Sequence, residues 1–341
     1  MVYTLAQYAK LEKQPLRKGV LIGLAQEGVI ADLITWRNIP TLSETGTRYD
    51  AVPSPAFIPL DGTISESTVD GHQIQHSVYR LALHMDIPVP LEDNTTDLIA
   101  KPSAQQTKLA IKGAAYVIND QFINGDQGSN PDGFDGINKF VANLASAQTV
   151  NYAPGGTNTE IDLYTGPYTS AKGQALLDTM HQAMNACEGH MPTAAFANNE
   201  FLLAFESVLR KEQMMGLDYD WRDRALEVSD PRRSLNTAST KPAFSYRNVP
   251  FFNLGFKGDQ STRVIGNTYT EGGSTTGHGT RVFFIKQTEE DLEGIQNDPL
   301  QVRPIGLLQS KDSYRFRLTW TLGLALWGPR AIVKMQGIRV A

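Results

Sequence analysis

The sequence has little cysteine and no excess of positive charge, and both deficits restrict what the protein can be. Cys187 is the only cysteine among 341 residues, so the chain cannot close an internal disulfide and a reducing compartment is expected. The formal net charge of -5 is unlike the basic excess of a dedicated nucleic-acid-binding protein. No run approaches the roughly eighteen apolar residues of a membrane span, and the charged N-terminus has no apolar stretch typical of a signal peptide. We therefore expect a soluble protein that is intracellular when it is made.

The sequence motifs of common catalytic sites are also missing. There is no GxxxxGK[ST] phosphate-binding loop, and the glycine-rich segment 272–279 lacks the lysine and precedes a predicted strand. No GxSxG nucleophile motif occurs. Cys187 falls on the apolar side of a predicted helix, where a buried thiol is inert. The sequence therefore predicts no enzyme, no catalytic residues and no cofactor.

The histidines and acidic residues give no metal-binding pattern. His72, His76 and His84 share the parity of one predicted strand, but residues four apart on a strand are separated by about 13 Å, too far for a common ion. The segment 126–133 places Gly128 where a calcium loop needs an oxygen ligand. We therefore expect a plain turn at 126–133 and no metal site.

Helical patterning is clearest in the middle of the chain. One helix is predicted to begin with a capping box at Ser103 and Gln106, after Pro102, and to end at Gly125. Its apolar residues recur every three or four positions and form one stripe: Ile111, Ala115, Ile118 and Phe122. Two further helices are predicted near 171–187 and 199–212, on either side of a short apolar segment.

The clearest strand lies near the C-terminus. Large apolar residues alternate with polar ones from Tyr314 to Leu326, which predicts a half-buried strand roughly 40 Å long. Arg315 and Arg317 lie on its polar side, and for them we favour a solvated face over contact with DNA. A second short strand is predicted at 331–335. Helices and antiparallel strands are segregated along the chain, which indicates an α+β class.

Residues 46–88 read as a long hairpin, with a first strand near 48–60 and a return strand from about 72 to 85. Three prolines of the first strand share one parity, which is tolerated only at a free edge: Pro53, Pro55 and Pro59. A hairpin this long with few large apolar residues is unstable alone, so it is expected to lie across a partner. Residues 1–45 have no face wide enough for a core, and either fray or serve assembly rather than folding.

These features, in this order, resemble the major capsid (head) protein family of tailed double-stranded DNA phages. The resemblance covers residues from about 40 to 341. Its most specific part is the long helix followed by NGD at 124–126 and GFDGI at 133–137, which is similar to the end of the family's spine helix. The remaining matches are the helix–strand–helix element at 171–212, the segment NVPF at 248–251, with Asn248 where the family has glycine, and the closing LALWGPRAIVKMQGI.

The resemblance implies the phage major capsid protein fold in five segments. These are an N-terminal arm at 1–45, an extended β-hairpin loop at 46–88, a peripheral domain with the spine helix at 89–145, an axial domain at 146–304, and return strands of the peripheral domain at 305–341. Some members join a loop lysine to a neighbour's asparagine, but this sequence has no lysine between Lys18 and Lys101. Non-covalent contacts alone are therefore expected.

The function that the resemblance implies is self-assembly into hexamers and pentamers of an icosahedral shell that encloses double-stranded DNA. The expected location is the virion, after assembly in the host cytoplasm. Expected partners are further copies of the chain, portal and scaffold proteins and a decoration protein, with DNA enclosed but not read by sequence. Two alternatives stay open: an encapsulin, which is a bacterial protein cage, and a hydrolase whose site is assembled from scattered acids.

Overall fold

The computed structural model describes residues 2–3, 28–51, 55–64, 66, 70–93, 102–154, 159–212, 219–220, 244–271, 273 and 277–340. The α-helices of this part are α1 (Val29–Leu33), α2 (Val89–Asp93), α3 (Pro102–Asn124), α4 (Ile137–Ala142), α5 (Ser170–Ala186) and α6 (Asn199–Lys211). Strands of the first half are β1 (Val2–Tyr3), β2 (Trp36–Asn38), β3 (Ser43–Ala51), β4 (Asp70–Ser77), β5 (Tyr79–Pro88), β6 (Thr149–Asn151) and β7 (Ile161–Asp162). Strands of the second half are β8 (Ala194–Ala197), β9 (Tyr219–Asp220), β10 (Phe244–Tyr246), β11 (Val249–Asn253), β12 (Gly279–Ile285), β13 (Leu292–Gln296), β14 (Gln301–Leu307), β15 (Ser313–Leu326) and β16 (Ile332–Arg339). None of the helices within these ranges is long and apolar enough to cross a membrane.

Helix α3 confirms the predicted long helix, and every residue of its predicted stripe is buried. The capping box is wrong, because Ser103 lies inside the first turn rather than before it. Its hydroxyl donates to Glu92 of α2 at 2.6 Å and its N–H donates to the same carboxylate at 3.1 Å. The acidic cap therefore comes from the preceding helix. At the other end Gly125 follows the last helical residue, as predicted.

The strands form two large sheets and one hairpin. In the first sheet β15 pairs with β5 along one edge and with β14 and then β13 along the other, and β13 continues to β2 and β1. The second sheet has the order β6-β16-β12-β8-β11-β10-β9, with β7 also beside β16. The predicted strand from Tyr314 to Leu326 is confirmed as β15. The last two strands belong to different sheets, and β16 is longer than the segment 331–335.

Two hydrophobic cores share the second sheet. Helix α3 and the first sheet cover one of its faces, and helices α5 and α6 cover the other. Alternate residues of β8 and β12 point into the two cores, so both strands are buried along their whole length. The predicted domain limits after 145 and 304 do not follow sheet membership, because β13 joins the first sheet and β16 the second; those limits stay a prediction.

The hairpin is shorter than the sequence indicated. Its strands are β3 and β4, paired from Ser43–Ser77 to Ala51–Asp70. The predicted first strand near 48–60 is wrong beyond Ala51 in the described part, where Pro55 and Pro59 lie in irregular backbone; Pro53 lies outside the described residues. The return strand is interrupted at Val78, and its continuation, β5, pairs with β15 instead.

The end of the predicted arm belongs to the core. Ile30, Ile34 and Trp36 are almost fully buried, and the Trp36 ring packs against the Trp320 ring with centroids 4.9 Å apart. The expectation that residues 1–45 serve assembly more than folding is therefore wrong for residues 29–39. The prediction failed because a five-residue helix and a three-residue strand are too short to show a hydrophobic period, so the sequence does not indicate that they are buried against distant strands.

Candidate assembly surfaces

A partly buried ion cluster of Arg37, Glu44 and Glu293 holds the base of the hairpin. Glu293 of β13 is 1% exposed and accepts hydrogen bonds from Arg37 Nη2 at 2.7 Å and from Trp327 Nε1 at 2.8 Å. On its other side Arg37 donates to Glu44 of β3, which is part of the hairpin. The two carboxylates raise the pKa of the Arg37 guanidinium. Arg37 therefore connects the hairpin to strands β2 and β13 of the first sheet.

Aromatic packing supports the same base. The His76 ring of β4 lies edge-on to Trp327 at 5.0 Å and to Phe140 at 5.8 Å, measured between ring centroids. Its Nε2 accepts from the Leu326 N–H at 3.2 Å. Burial lowers the pKa of His76, which favours the neutral ring. On β3 a Cβ at Gly46 would lie 2.3 Å from the Trp327 ring, so only glycine allows this contact.

Beyond the paired strands, the described residues at the far end of the hairpin have no such support. Residues 55–60, PAFIPL, are all exposed, and Phe57 and Leu60 are fully so. Ile64 is exposed a few residues further on. Large side chains of this kind rarely cluster on the surface of a monomer unless another surface covers them. We call residues 55–64 the tip.

An apolar groove runs between α3 and β5 on the body of the molecule. It has a volume of about 540 Å³, and its walls include Leu83 from the strand and Leu109, Gly113 and Val117 from the helix. Leu109 is 68% exposed although it lies on the longest helix of the described chain. The helix thus has a buried stripe facing the core and a second apolar stripe that the described residues leave uncovered.

The turn after α3 has a structural role for Gly125 and for Asp126. The Asp126 carboxylate accepts from the Gly128 N–H at 3.0 Å and from Lys139 Nζ at 3.0 Å, and these contacts lower its pKa. A Cβ at Gly125 would lie 2.4 Å from the carbonyl oxygens of Gln121 and Phe134, so this glycine permits the close return of the chain. Turns at 127–129 and 131–132 agree with the turn predicted for this segment.

The other residues considered for chemistry are dispersed. Cys187 is buried after α5, and burial raises the pKa of its thiol to about 11, which leaves it protonated and unreactive at neutral pH. His72 and His76 lie on β4 but His84 lies on β5, so placing the three on one strand was wrong. Among the described residues no group of three or more His, Cys, Asp and Glu side chains could hold a metal ion.

Comparison with known proteins gives structural neighbours without sequence relatives. No protein-family model matches the sequence, and no curated protein matches it. The holo-SrpI encapsulin complex from Synechococcus elongatus PCC 7942 has a TM-score of 0.59 at 12% identity, covering 92% of this chain and 88% of that one. A chain from Mycobacterium phage Adephagia has a TM-score of 0.56 at 10% identity, covering 93% and 91%.

The capsid of a native GTA particle is similar as well, with a TM-score of 0.53 at 14% identity, covering 92% of this chain and 89% of the capsid chain. All three likenesses extend over nearly the full length of both chains, so they concern the whole architecture rather than one shared motif. Identities this low show the fold and nothing further. The chain has the α+β fold of the tailed-phage major capsid proteins, which encapsulin shells share.

Proposed function

We propose that this chain is a structural, non-catalytic subunit that assembles with copies of itself into a closed icosahedral shell of hexamers and pentamers around double-stranded DNA. One observation carries the proposal: the described residues of the single chain leave both the apolar tip and the apolar groove uncovered, although they bury two hydrophobic cores. Burying Phe57 and Leu60 together contributes about 3–6 kcal/mol. Repeated around a shell, such modest contacts close it cooperatively.

Substitutions at the apolar side chains of the tip test the proposed function. Replacing Phe57 and Leu60 by serine removes the apolar contact and leaves the base of the hairpin intact. We expect this variant to fold with an unchanged melting temperature but to remain as monomers or small oligomers, observed by size-exclusion chromatography and electron microscopy. The matched control, Phe57→Leu with Leu60→Met, keeps the tip apolar and should still close shells. Closed shells formed by the serine variant at the wild-type concentration would contradict the proposal.

A second candidate is an encapsulin-type compartment, because the SrpI encapsulin and the Adephagia phage chain share this fold with similar TM-scores, 0.59 and 0.56. The two candidates differ in what the shell contains. Nucleic acid in nuclease-treated particles, read from the ratio of absorbance at 260 and 280 nm, supports the phage capsid. A co-purifying cargo protein and no nucleic acid support the encapsulin. As a capsid protein the chain would assemble in the host cytoplasm, be found in the virion, and contact portal, scaffold and decoration proteins.

A further inference from the structure

One face of the first sheet concentrates positive charge in a chain whose net charge is negative. Strands β5, β15 and β14 lie side by side, and their residues alternate between an apolar face toward α3 and a polar face away from it. The polar face carries four guanidinium groups, one imidazole and one carboxylate on these three strands: Arg80, Arg303, Arg315, Arg317, His84 and Asp86. We call it the basic face.

The charges on this face are aligned rather than scattered. Arg317 of β15 lies directly opposite His84 of β5 on one side and Arg303 of β14 on the other. Arg303 and Arg317 both carry a positive charge, and like charges placed opposite each other across a sheet repel and do not stabilise it, whereas the His84 ring accepts a hydrogen bond from Arg317. The stability of the fold therefore gives no reason for placing Arg303 and Arg317 opposite each other.

The row also has few internal partners. Arg303 donates to the neutral Gln301 Oε1 from Nε at 2.9 Å and from Nη2 at 2.5 Å, and Arg317 Nε donates to His84 Nε2 at 2.9 Å. Within the described residues neither guanidinium has a carboxylate within 4.0 Å, whereas Arg315 is paired with Asp86 at 2.6 Å. A guanidinium has five donors, so both arginines keep most of theirs for an external acceptor.

We infer that the basic face binds the phosphate backbone of double-stranded DNA, an inference that rests on the proposed shell and assigns this face to its interior. It replaces the solvated face that the sequence favoured for Arg315 and Arg317, because the row of Arg303 and Arg317 across β14 and β15 is visible only in the fold. The face is an open sheet surface about 20 Å long, with no projecting element that could enter a groove of the duplex and reach base edges. Such a surface favours contacts with the DNA backbone that do not depend on the base sequence. Guanidinium groups match phosphate oxygens in geometry as well as in charge.

The test measures the fluorescence anisotropy of a labelled 20-base-pair duplex with the unassembled chain between 50 and 200 mM NaCl. Arg303→Gln with Arg317→Gln should weaken binding about tenfold at the lower salt and reduce the slope of log affinity against log salt by about two. The matched control, Lys108→Gln with Arg210→Gln, removes two exposed charges elsewhere and should change neither quantity. Equal losses in both pairs would overturn the assignment, and so would tighter binding of polyglutamate than of the duplex.

Electron microscopy of the same variants separates this inference from the proposed function. The Arg303 and Arg317 variant should still close shells but retain less nucleic acid after nuclease treatment. If the wild-type chain closes no shells, the proposed function fails, while the anisotropy still reports on the face. If variant and wild-type shells retain equal amounts of nucleic acid, the inference about the basic face is wrong, while the proposed function is unaffected.

Discussion

Replacing Arg37 by methionine tests whether the ion cluster holds the hairpin and the end of the predicted arm to the core. Methionine keeps much of the side-chain volume but removes the guanidinium. Glu293, 1% exposed, then retains only the Trp327 donor among the contacts described above. A buried carboxylate that loses its charged partner costs about 3–5 kcal/mol. We expect the free energy of unfolding, measured in urea on the unassembled chain, to fall by that amount.

Two comparisons make this expectation specific. Arg210→Met removes an arginine that is 68% exposed and pairs with Glu206 one helical turn away, and should cost about 0.3–0.5 kcal/mol. Arg37→Met combined with Glu293→Met removes both charges, so it should recover a large part of the single-variant loss. The reasoning is refuted if Arg37→Met costs no more than Arg210→Met, or if the double variant loses the sum of both single effects.

Three further outcomes are expected. Because burial lowers the pKa of His76, protonation of this residue favours the unfolded chain. The urea midpoint of unfolding should therefore fall as the pH drops below about 6.5, and His76→Gln should make the midpoint less dependent on pH. An equal pH dependence in the wild type and the variant would contradict this expectation. Gly125→Ala places a Cβ 2.4 Å from two carbonyl oxygens and should lower the melting temperature. In contrast, a Cβ at Gly113 would have no neighbouring atom within 4 Å, so Gly113→Ala should stabilise α3 by about 1 kcal/mol. Calorimetry of both variants compares the two effects. Assembled shells boiled in SDS with reductant should give a single band at the 37.5 kDa monomer, because residues 46–88 contain no lysine; a ladder of larger species would locate a cross-linking lysine elsewhere.

Features encoded over consecutive residues could be predicted, whereas those that depend on distant contacts could not. Helix α3 and strand β15 each repeat one period for many residues, so pattern alone predicts them. The Arg37–Glu293 contact joins residues 256 positions apart, and no local pattern indicates it. Strand β5 was merged with β4 because the chain passes from one sheet to another with only Val78 between them.

Apolar surfaces are hidden from sequence reasoning for a related reason. Leu109 and Val117 follow the same helical spacing as the buried stripe of α3, so in sequence they are indistinguishable from core residues. Only the fold shows that the helix has more apolar surface than one core can cover. The cross-strand row of Arg303, Arg317 and His84 is equally invisible, because it depends on the register of three strands.

The contrast between the base and the tip of the hairpin bears on how a shell would form. In the described chain β3 and β4 pair only with each other, and a two-stranded sheet is marginally stable by itself. The ion cluster and the Trp327 contacts fix its orientation before any neighbour arrives. An element that is already ordered loses less conformational entropy on binding, so more of the apolar gain at the tip is available for association. Under the proposed function, weakening the base should therefore impair shell closure even though Arg37 and His76 contact no part of the tip.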